Sequence, residues 1–170
     1  RFITEPFRDD AALDTEAFDR TVAAAVRMMD NVVDVSRFPL KAQRHEAQAK
    51  RRIGLGVTGL ADALIMMKAR YGSPRALELT ETWMKRLQRQ AYLASAKLAE
   101  EKGPFPLFER DAYLAGESVM ELDDDVREAI AEHGIRNALV TSIAPTGTIS
   151  LFADNVSSGL EPVFAFSYTR

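Results

Sequence analysis

The sequence predicts an α/β fold with parallel strands. Three observations carry that prediction: a long amphipathic helix with capping residues at both ends, two short apolar stretches that each run into a glycine-bearing turn, and helical periodicity on either side of them. At 170 residues, with 46% hydrophobic and 28% charged residues, the chain has the length for one domain and the composition of a globular protein.

Asp14-Thr15 supplies an N-cap, and Phe18, Val22, Val26 and Met29 follow at helical spacing. A helix is expected from there to about Val33 or Val35, with Pro39 interrupting it soon after. Lys41 to Arg52 is polar and holds five Lys/Arg. It reads as a solvated linker or short helix, with an anion-binding patch as the alternative. Arg52 to Val57 then reads as a short strand ending in a turn, and Leu60 to Arg70 as a helix closed by Gly72.

The clearest helix comes next. Ser73 is its N-cap, Pro74 its first residue, and Gly103 follows its far end. Leu77, Thr80, Met84, Leu87, Ala91, Ala94 and Leu98 form a seam at three- and four-residue steps, with Trp83 beside it. Packing within the chain is expected for that seam, and a partner helix is the alternative. Pro104-Phe105-Pro106 makes an extended link, and Asp123-Asp124-Asp125 opens an acidic helix that ends near Gly134. Those three carboxylates point different ways from successive helical positions, so they make no metal site. Ala138 to Ile143 reads as a buried strand, which delivers the chain to Ala144-Pro145-Thr146-Gly147-Thr148-Ile149-Ser150, where a helical pattern begins.

Composition excludes several function classes. A net charge of −3 gives no electrostatic footprint for nucleic acid. With no cysteine in the sequence, disulfides, thiolate metal sites and cysteine nucleophiles are ruled out in this stretch. His45 and His133 lack a second ligand at i, i+4 and are expected at the surface. No apolar run reaches bilayer length and Arg1-Phe2-Ile3-Thr4-Glu5 is no signal peptide, so a cytoplasmic location and no membrane partner are expected. The chain opens without Met and stops at Ser167-Tyr168-Thr169-Arg170, as an internal piece of a longer polypeptide would.

Two glycine turns compete as phosphate sites. Gly54-Leu55-Gly56-Val57-Thr58-Gly59 fits the dinucleotide fingerprint G-x-G-x-x-G. The residues before it, Ala49-Lys50-Arg51-Arg52, are not a hydrophobic strand, and Glu78 and Glu81 fall inside the long helix rather than ending a second strand. Close strand-to-helix packing is the better account of these glycines. Pro145 to Ser150 has stronger credentials. A strand leads to a turn and a helix N-terminus, where Pro145 stiffens the entry, Gly147 permits close approach, and Thr146, Thr148 and Ser150 offer hydroxyls. A hydroxyl-capped helix that binds nothing is the competing account. Glu161, before Pro162, is open between a binding acid, a structural cap and a solvated side chain.

Three motifs in order make the chain similar to a known family. Asp30-Asn31-Val32-Val33-Asp34 precedes Phe38-Pro39. Arg51-Arg52-Ile53-Gly54-Leu55-Gly56-Val57-Thr58-Gly59-Leu60-Ala61-Asp62 follows, and then Ala144 to Ser150 with Asn155-Val156-Ser157-Ser158-Gly159-Leu160-Glu161-Pro162-Val163-Phe164. Together they resemble the catalytic chains of ribonucleotide reductases, most of all the adenosylcobalamin-dependent class. The resemblance implies a ten-stranded α/β barrel of two five-stranded halves, with residues 1–170 a helix-rich part of the second half. It implies a thiyl radical that removes the ribose 3′-hydrogen, and a cysteine pair that supplies electrons. By similarity, Pro145, Thr146, Gly147, Thr148, Ile149 and Ser150 hold the substrate diphosphate, Thr146 and Thr148 through hydroxyls and Gly147 and Ile149 through backbone N–H groups.

The family's N-x-C-x-E loop and its partner cysteines are absent from this stretch. No catalytic residue is therefore assigned here, Glu161 lies in a different motif, and the segment alone is expected to be inactive. Adenosylcobalamin is the implied cofactor of the longer protein, with no residue here tied to it. Its implied partners are a ribonucleotide and a thioredoxin-type reductant, and a homo-oligomer stays open. The readings that compete with this one are a stand-alone phosphate- or nucleotide-binding module, a nicotinamide-binding domain at Gly54 to Gly59, and an interaction scaffold built on the long helix.

Overall fold

Helix-capping chemistry accounts for most of what this chain does locally. The computed structural model of the chain describes residues 2–165 and 167. In order they form β1 (Ile3–Thr4), β2 (Ala12–Leu13), α1 (Thr15–Val35), α2 (Lys41–Lys50), α3 (Leu60–Met66), α4 (Pro74–Lys102), α5 (Arg110–Leu114), α6 (Glu117–Met120), α7 (Asp124–His133) and α8 (Gly147–Phe152). Asp14 caps α1 by accepting from Ala17 N–H at 2.9 Å, and Ser73 caps α4 by accepting from Ala76 N–H at 3.2 Å. Gly134 ends α7 with φ 77°. Helix α3 is shorter than its pattern predicts, because Lys68 turns left-handed at φ 54° and breaks the ladder two residues after Met66.

The chain divides into two compact units: Arg1–Phe18 with Gly56–Lys85 and Ile143–Arg170, and Asp19–Leu55 with Arg86–Ser142. The first has a core of Leu64, Met67, Ala69, Ala76 and Trp83, with Ile3, Leu13 and Met84 packed against it. Antiparallel β1 and β2 pair Ile3 with Leu13, and Phe2 meets Phe18 edge-on at 5.3 Å between ring centroids. Leu77 was expected on the α4 seam, yet it is 64% exposed while Ala76 is buried. The smaller residue faces the core there, which sets the stripe one residue out of phase with the apolar pattern.

The second unit buries Val22 and Val26 of α1 and Leu87, Ala91, Tyr92, Ala96, Leu98 and Ala99 of α4. Here the seam is consumed within the chain, so a scaffold reading has no free face at Leu87. Phe105, Phe108 and Tyr113 form an aromatic cluster with centroid distances of 5.5 to 6.0 Å. Burial, and then Tyr92, push the Tyr113 hydroxyl well above its ordinary pKa. Tyr113 is structural, its hydroxyl donating to Ala138 O at 3.3 Å.

Below this apolar layer lies an ion network. Asp30 is fully buried on the same α1 stripe as Val22 and Val26. It accepts from Arg51 Nε at 2.9 Å and Asn137 Nδ2 at 3.1 Å through Oδ1, and from Lys102 Nζ and Arg136 Nε at 3.3 Å through Oδ2. Arg51 also bonds Asp34 at 2.7 Å, and Asn137 shares a hydrogen bond of 2.9 Å with Ser95. Burial raises the Asp30 pKa, but the Arg51, Arg136 and Lys102 charges outweigh it and hold the carboxyl below its ordinary value. One member of the basic stretch 41–52, expected to be solvated, is therefore a buried partner.

Strands are sparser than the α/β pattern predicts. Residues 53–55 and 139–142 run parallel: Ile53 N–H donates to Leu139 O at 3.0 Å, Leu55 N–H to Val140 O at 2.9 Å, and Ser142 N–H to Leu55 O at 3.0 Å. They meet in one isolated bridge, Leu55 with Thr141. Val140 is buried, whereas Leu139 and Ile143 are 55% and 64% exposed, so the segment is buried on one side only. The architecture is helix-rich α/β with a small, open sheet. Parallel strands need further neighbours to build a ladder, and two short segments alone do not supply them.

Candidate functional site

The turn before α8 is formed by Thr146, not by a glycine. Its backbone is left-handed at φ 61°, ψ 12°, and it sits at the N-cap of α8 without a side-chain cap. Two bonds hold that shape. Ser150 N–H donates to Thr146 O at 2.7 Å, and Ser150 Oγ donates to Thr146 Oγ1 at 2.8 Å. Ser150 is fully buried and Thr146 nearly so, whereas Pro145, Gly147, Thr148 and Ile149 are exposed.

The six residues expected to act together thus divide into two roles. Thr146 and Ser150 turn their hydroxyls towards each other and lock the turn. Thr148 carries the exposed hydroxyl. Because Ser150 N–H makes the first bond of the helical ladder, the N–H groups of Gly147, Thr148 and Ile149 precede it and are left to an outside acceptor. Gly147 keeps the approach open: a Cβ there would meet nothing nearer than Ser158 O at 4.0 Å. No charged side chain occurs between Ile143 and Ala153. An anion here would meet oriented dipoles and one hydroxyl rather than a countercharge.

The competing glycine turn has its helix N-terminus occupied. Gly59 is the left-handed N-cap of α3. Ala61 N–H donates to Leu160 O at 2.9 Å, and Asp62 Oδ2 accepts from Val156 N–H at 2.9 Å. A dinucleotide pyrophosphate would need the space that residues 155–160 fill. Gly54 packs on Ser142, whose Oγ lies 2.9 Å from where a Cβ would stand, as close strand packing demands. Glu161 is exposed, its carboxylate folded back over Gly159.

His45 is exposed, and His133 lies 3.6 Å from Glu132 in a half-buried setting. Among the described residues no group of three or more His, Asp or Glu side chains is placed to hold a metal ion, and no helix is long and apolar enough to cross a membrane. The residues that sequence reasoning missed at the site are Gly59, Asp62 and Asn155 as neighbours of the turn's return loop. In sequence Gly59 stood only in the Gly54–Gly59 pattern and the Arg51–Asp62 motif, Asp62 only in that motif and Asn155 only as the start of the Asn155–Phe164 motif, with no role at the turn attached to any of them.

Comparison with known proteins places the chain in a family. The family model described as "Ribonucleotide reductase, barrel domain" matches residues 1–170. A vitamin B12-dependent ribonucleoside-diphosphate reductase of Mycobacterium tuberculosis (strain CDC 1551 / Oshkosh) is 41% identical over 161 residues, covering 95% of this chain and 21% of the relative. One of the same description from Thermoplasma acidophilum is 38% identical, covering 95% of this chain and 19% of the relative. A ribonucleoside-diphosphate reductase subunit alpha of Chlamydia muridarum is 32% identical, covering 95% of this chain and 17% of the relative. The chain spans about a fifth of the length of these curated relatives. From the match along its whole length, this chain belongs to the ribonucleotide reductase barrel-domain family.

Proposed function

We propose that this chain is the substrate-diphosphate segment of a ribonucleotide reductase, acting within a longer protein that converts ribonucleotides to deoxyribonucleotides by thiyl-radical chemistry. The observation that carries the reading is the Thr146–Ile149 turn, with three helix-start N–H groups and the Thr148 hydroxyl open and no charged side chain in the way. Pro145 to Ile149 then bind the diphosphate, while Ser150 holds the turn through Thr146. In this reading residues 1–170 form part of the second half of a ten-stranded barrel, and segments 53–55 and 139–142 are two of its strands. The task of the turn is positioning. A sugar displaced by about 1 Å from the reacting group loses on the order of a hundredfold in rate.

The radical cysteine and its reducing pair lie outside this cysteine-free chain. Adenosylcobalamin would generate the radical in the longer protein, and no residue of this chain is assigned to it. A thioredoxin-type reductant completes the reading.

Replacing Thr148 with valine in the full-length protein tests it. Loss of one hydrogen bond to a charged phosphate is worth about 1.5–3 kcal/mol, so KM for the ribonucleoside diphosphate should rise at least about tenfold. Thr148 is exposed, so the thermal midpoint should stay put. An unchanged KM removes the proposed role of this hydroxyl.

A further inference from the structure

The return loop after the phosphate turn is fastened to the start of α3 by a set of contacts confined to one unit of the chain. Val156 N–H donates to Asp62 Oδ2 at 2.9 Å, and four residues on, Leu160 O accepts from Ala61 N–H at 2.9 Å. Between the loop and α8, Asn155 N–H donates to Ser150 O at 3.1 Å. Ser150 in turn closes the turn through its two bonds to Thr146. A continuous path therefore runs from the Asp62 carboxylate, through Val156, Asn155 and Ser150, to the residue whose left-handed backbone aims the N–H groups.

Gly59 makes room for this path. The Asn155 carboxamide lies 3.0 Å from where a Gly59 Cβ would be, and Gly59 itself is left-handed at φ 68°. Any side chain there is strained and pushes Asn155 off its seat. Asn155 Nδ2 is buried without a hydrogen-bond partner among the described residues, so packing on the bare Gly59 holds the carboxamide. Helix α8 has only six residues, too few to hold its own geometry in water, and the placement of the turn must come from outside it. The Asp62 carboxylate accepting from Val156 N–H at an exposed position, beside the backbone bond from Ala61 to Leu160, supplies that outside tether.

We propose that Asp62, together with Gly59 and Asn155, positions the phosphate turn, so that the glycine pattern which imitates a dinucleotide site is instead the seat of the substrate loop. This rests on the reading of residues 145–150 as the diphosphate site. These are positioning residues: none of them touches the bound phosphate.

The test compares Asp62→Ala, Asp62→Asn and Thr148→Val in the full-length protein. Asn keeps an oxygen that accepts from Val156 N–H, and Ala does not. Asp62→Ala should raise KM for a ribonucleoside diphosphate about tenfold and speed amide exchange at Asn155 and Val156, while Asp62→Asn stays within about twofold of the parent on both. If Thr148→Val raises KM but Asp62→Ala changes neither KM nor exchange, the positioning role is overturned and the diphosphate reading stands. If Thr148→Val has no effect on KM, the diphosphate reading falls and takes this proposal with it. If Asp62→Ala and Asp62→Asn lose affinity equally, with the same drop in thermal midpoint, Asp62 serves the stability of α3 and the positioning role is likewise overturned.

Discussion

Asp30→Ala is expected to cost the chain about 3–5 kcal/mol, the largest loss of any single truncation in its ion pairs, because it strands a buried guanidinium. Arg51 is 4% exposed and Asp30 fully buried. The carboxylate takes hydrogen bonds from Arg51, Asn137, Lys102 and Arg136, and without it Arg51 keeps as its one charged partner Asp34, whose side chain is 45% exposed, beside the backbone carbonyl of residue 30 at 3.0 Å. Exposed pairs such as Arg27 with Glu101 should matter far less, since water already solvates both partners. Urea unfolding of the parent and the variant checks this, and a loss below about 1 kcal/mol would mean that desolvation cancels the network.

The same group sets an acid limb. The folded Asp30 carboxyl lies below its ordinary pKa, so its contribution is complete above the unfolded carboxylate value and is lost as pH falls through the folded one. Thermal midpoints should therefore fall on acidification below about pH 4, and more steeply for the parent than for Asp30→Asn.

The second large effect belongs to Gly134→Ala. Gly134 has φ 77° and ψ −165°, a region open essentially to glycine alone. An added Cβ would lie 3.0 Å from Pro104 Cβ and 3.2 Å from Phe108 Cε1. Phe108 cannot retreat easily, since Phe105 and Tyr113 pack on it at centroid distances of 5.5 Å. Strain and overpacking together should cost about 2–5 kcal/mol. Gly103→Ala is the control: φ is 83° but nothing lies within 4 Å, so only strain is added, about 1–2 kcal/mol. Equal losses at the two glycines would show that the clash with Pro104 and Phe108 relaxes freely.

Much of the helical structure was legible because capping is short-range chemistry. Asp14, Ser73-Pro74 and Gly134 each act on backbone groups within four residues, and α1, α4 and α7 begin or end where those residues stand. The candidate site was legible for the same reason, since Pro145 to Ser150 are consecutive and their turn closes on itself through Thr146 and Ser150. The division of labour inside it was not. A hydroxyl left open to solvent and one that locks the turn look alike in sequence, and only burial separates Thr148 from Ser150.

Short-range signals also misled where the deciding neighbour was remote. The α4 seam was read through Leu77, but its phase in that stretch is set by a core of Leu64, Met67 and Ala69, which favours the small Ala76. The β1–β2 pair left no usable pattern in two-residue strands.

The sequence by itself determined the long helices α1 and α4, the capped end of α7, the turn that opens α8 and the family, all of which are written in residues close together along the chain. Tertiary structure alone decided which cation of the 41–52 stretch is buried, which strands find partners, and which residues pack against the Gly54–Gly59 turn. Arg51 meets Asp30 across 21 positions, and Asp62 meets Val156 across 94. Such partners leave no local trace, because each side chain is satisfied by the fold and not by its sequence neighbours.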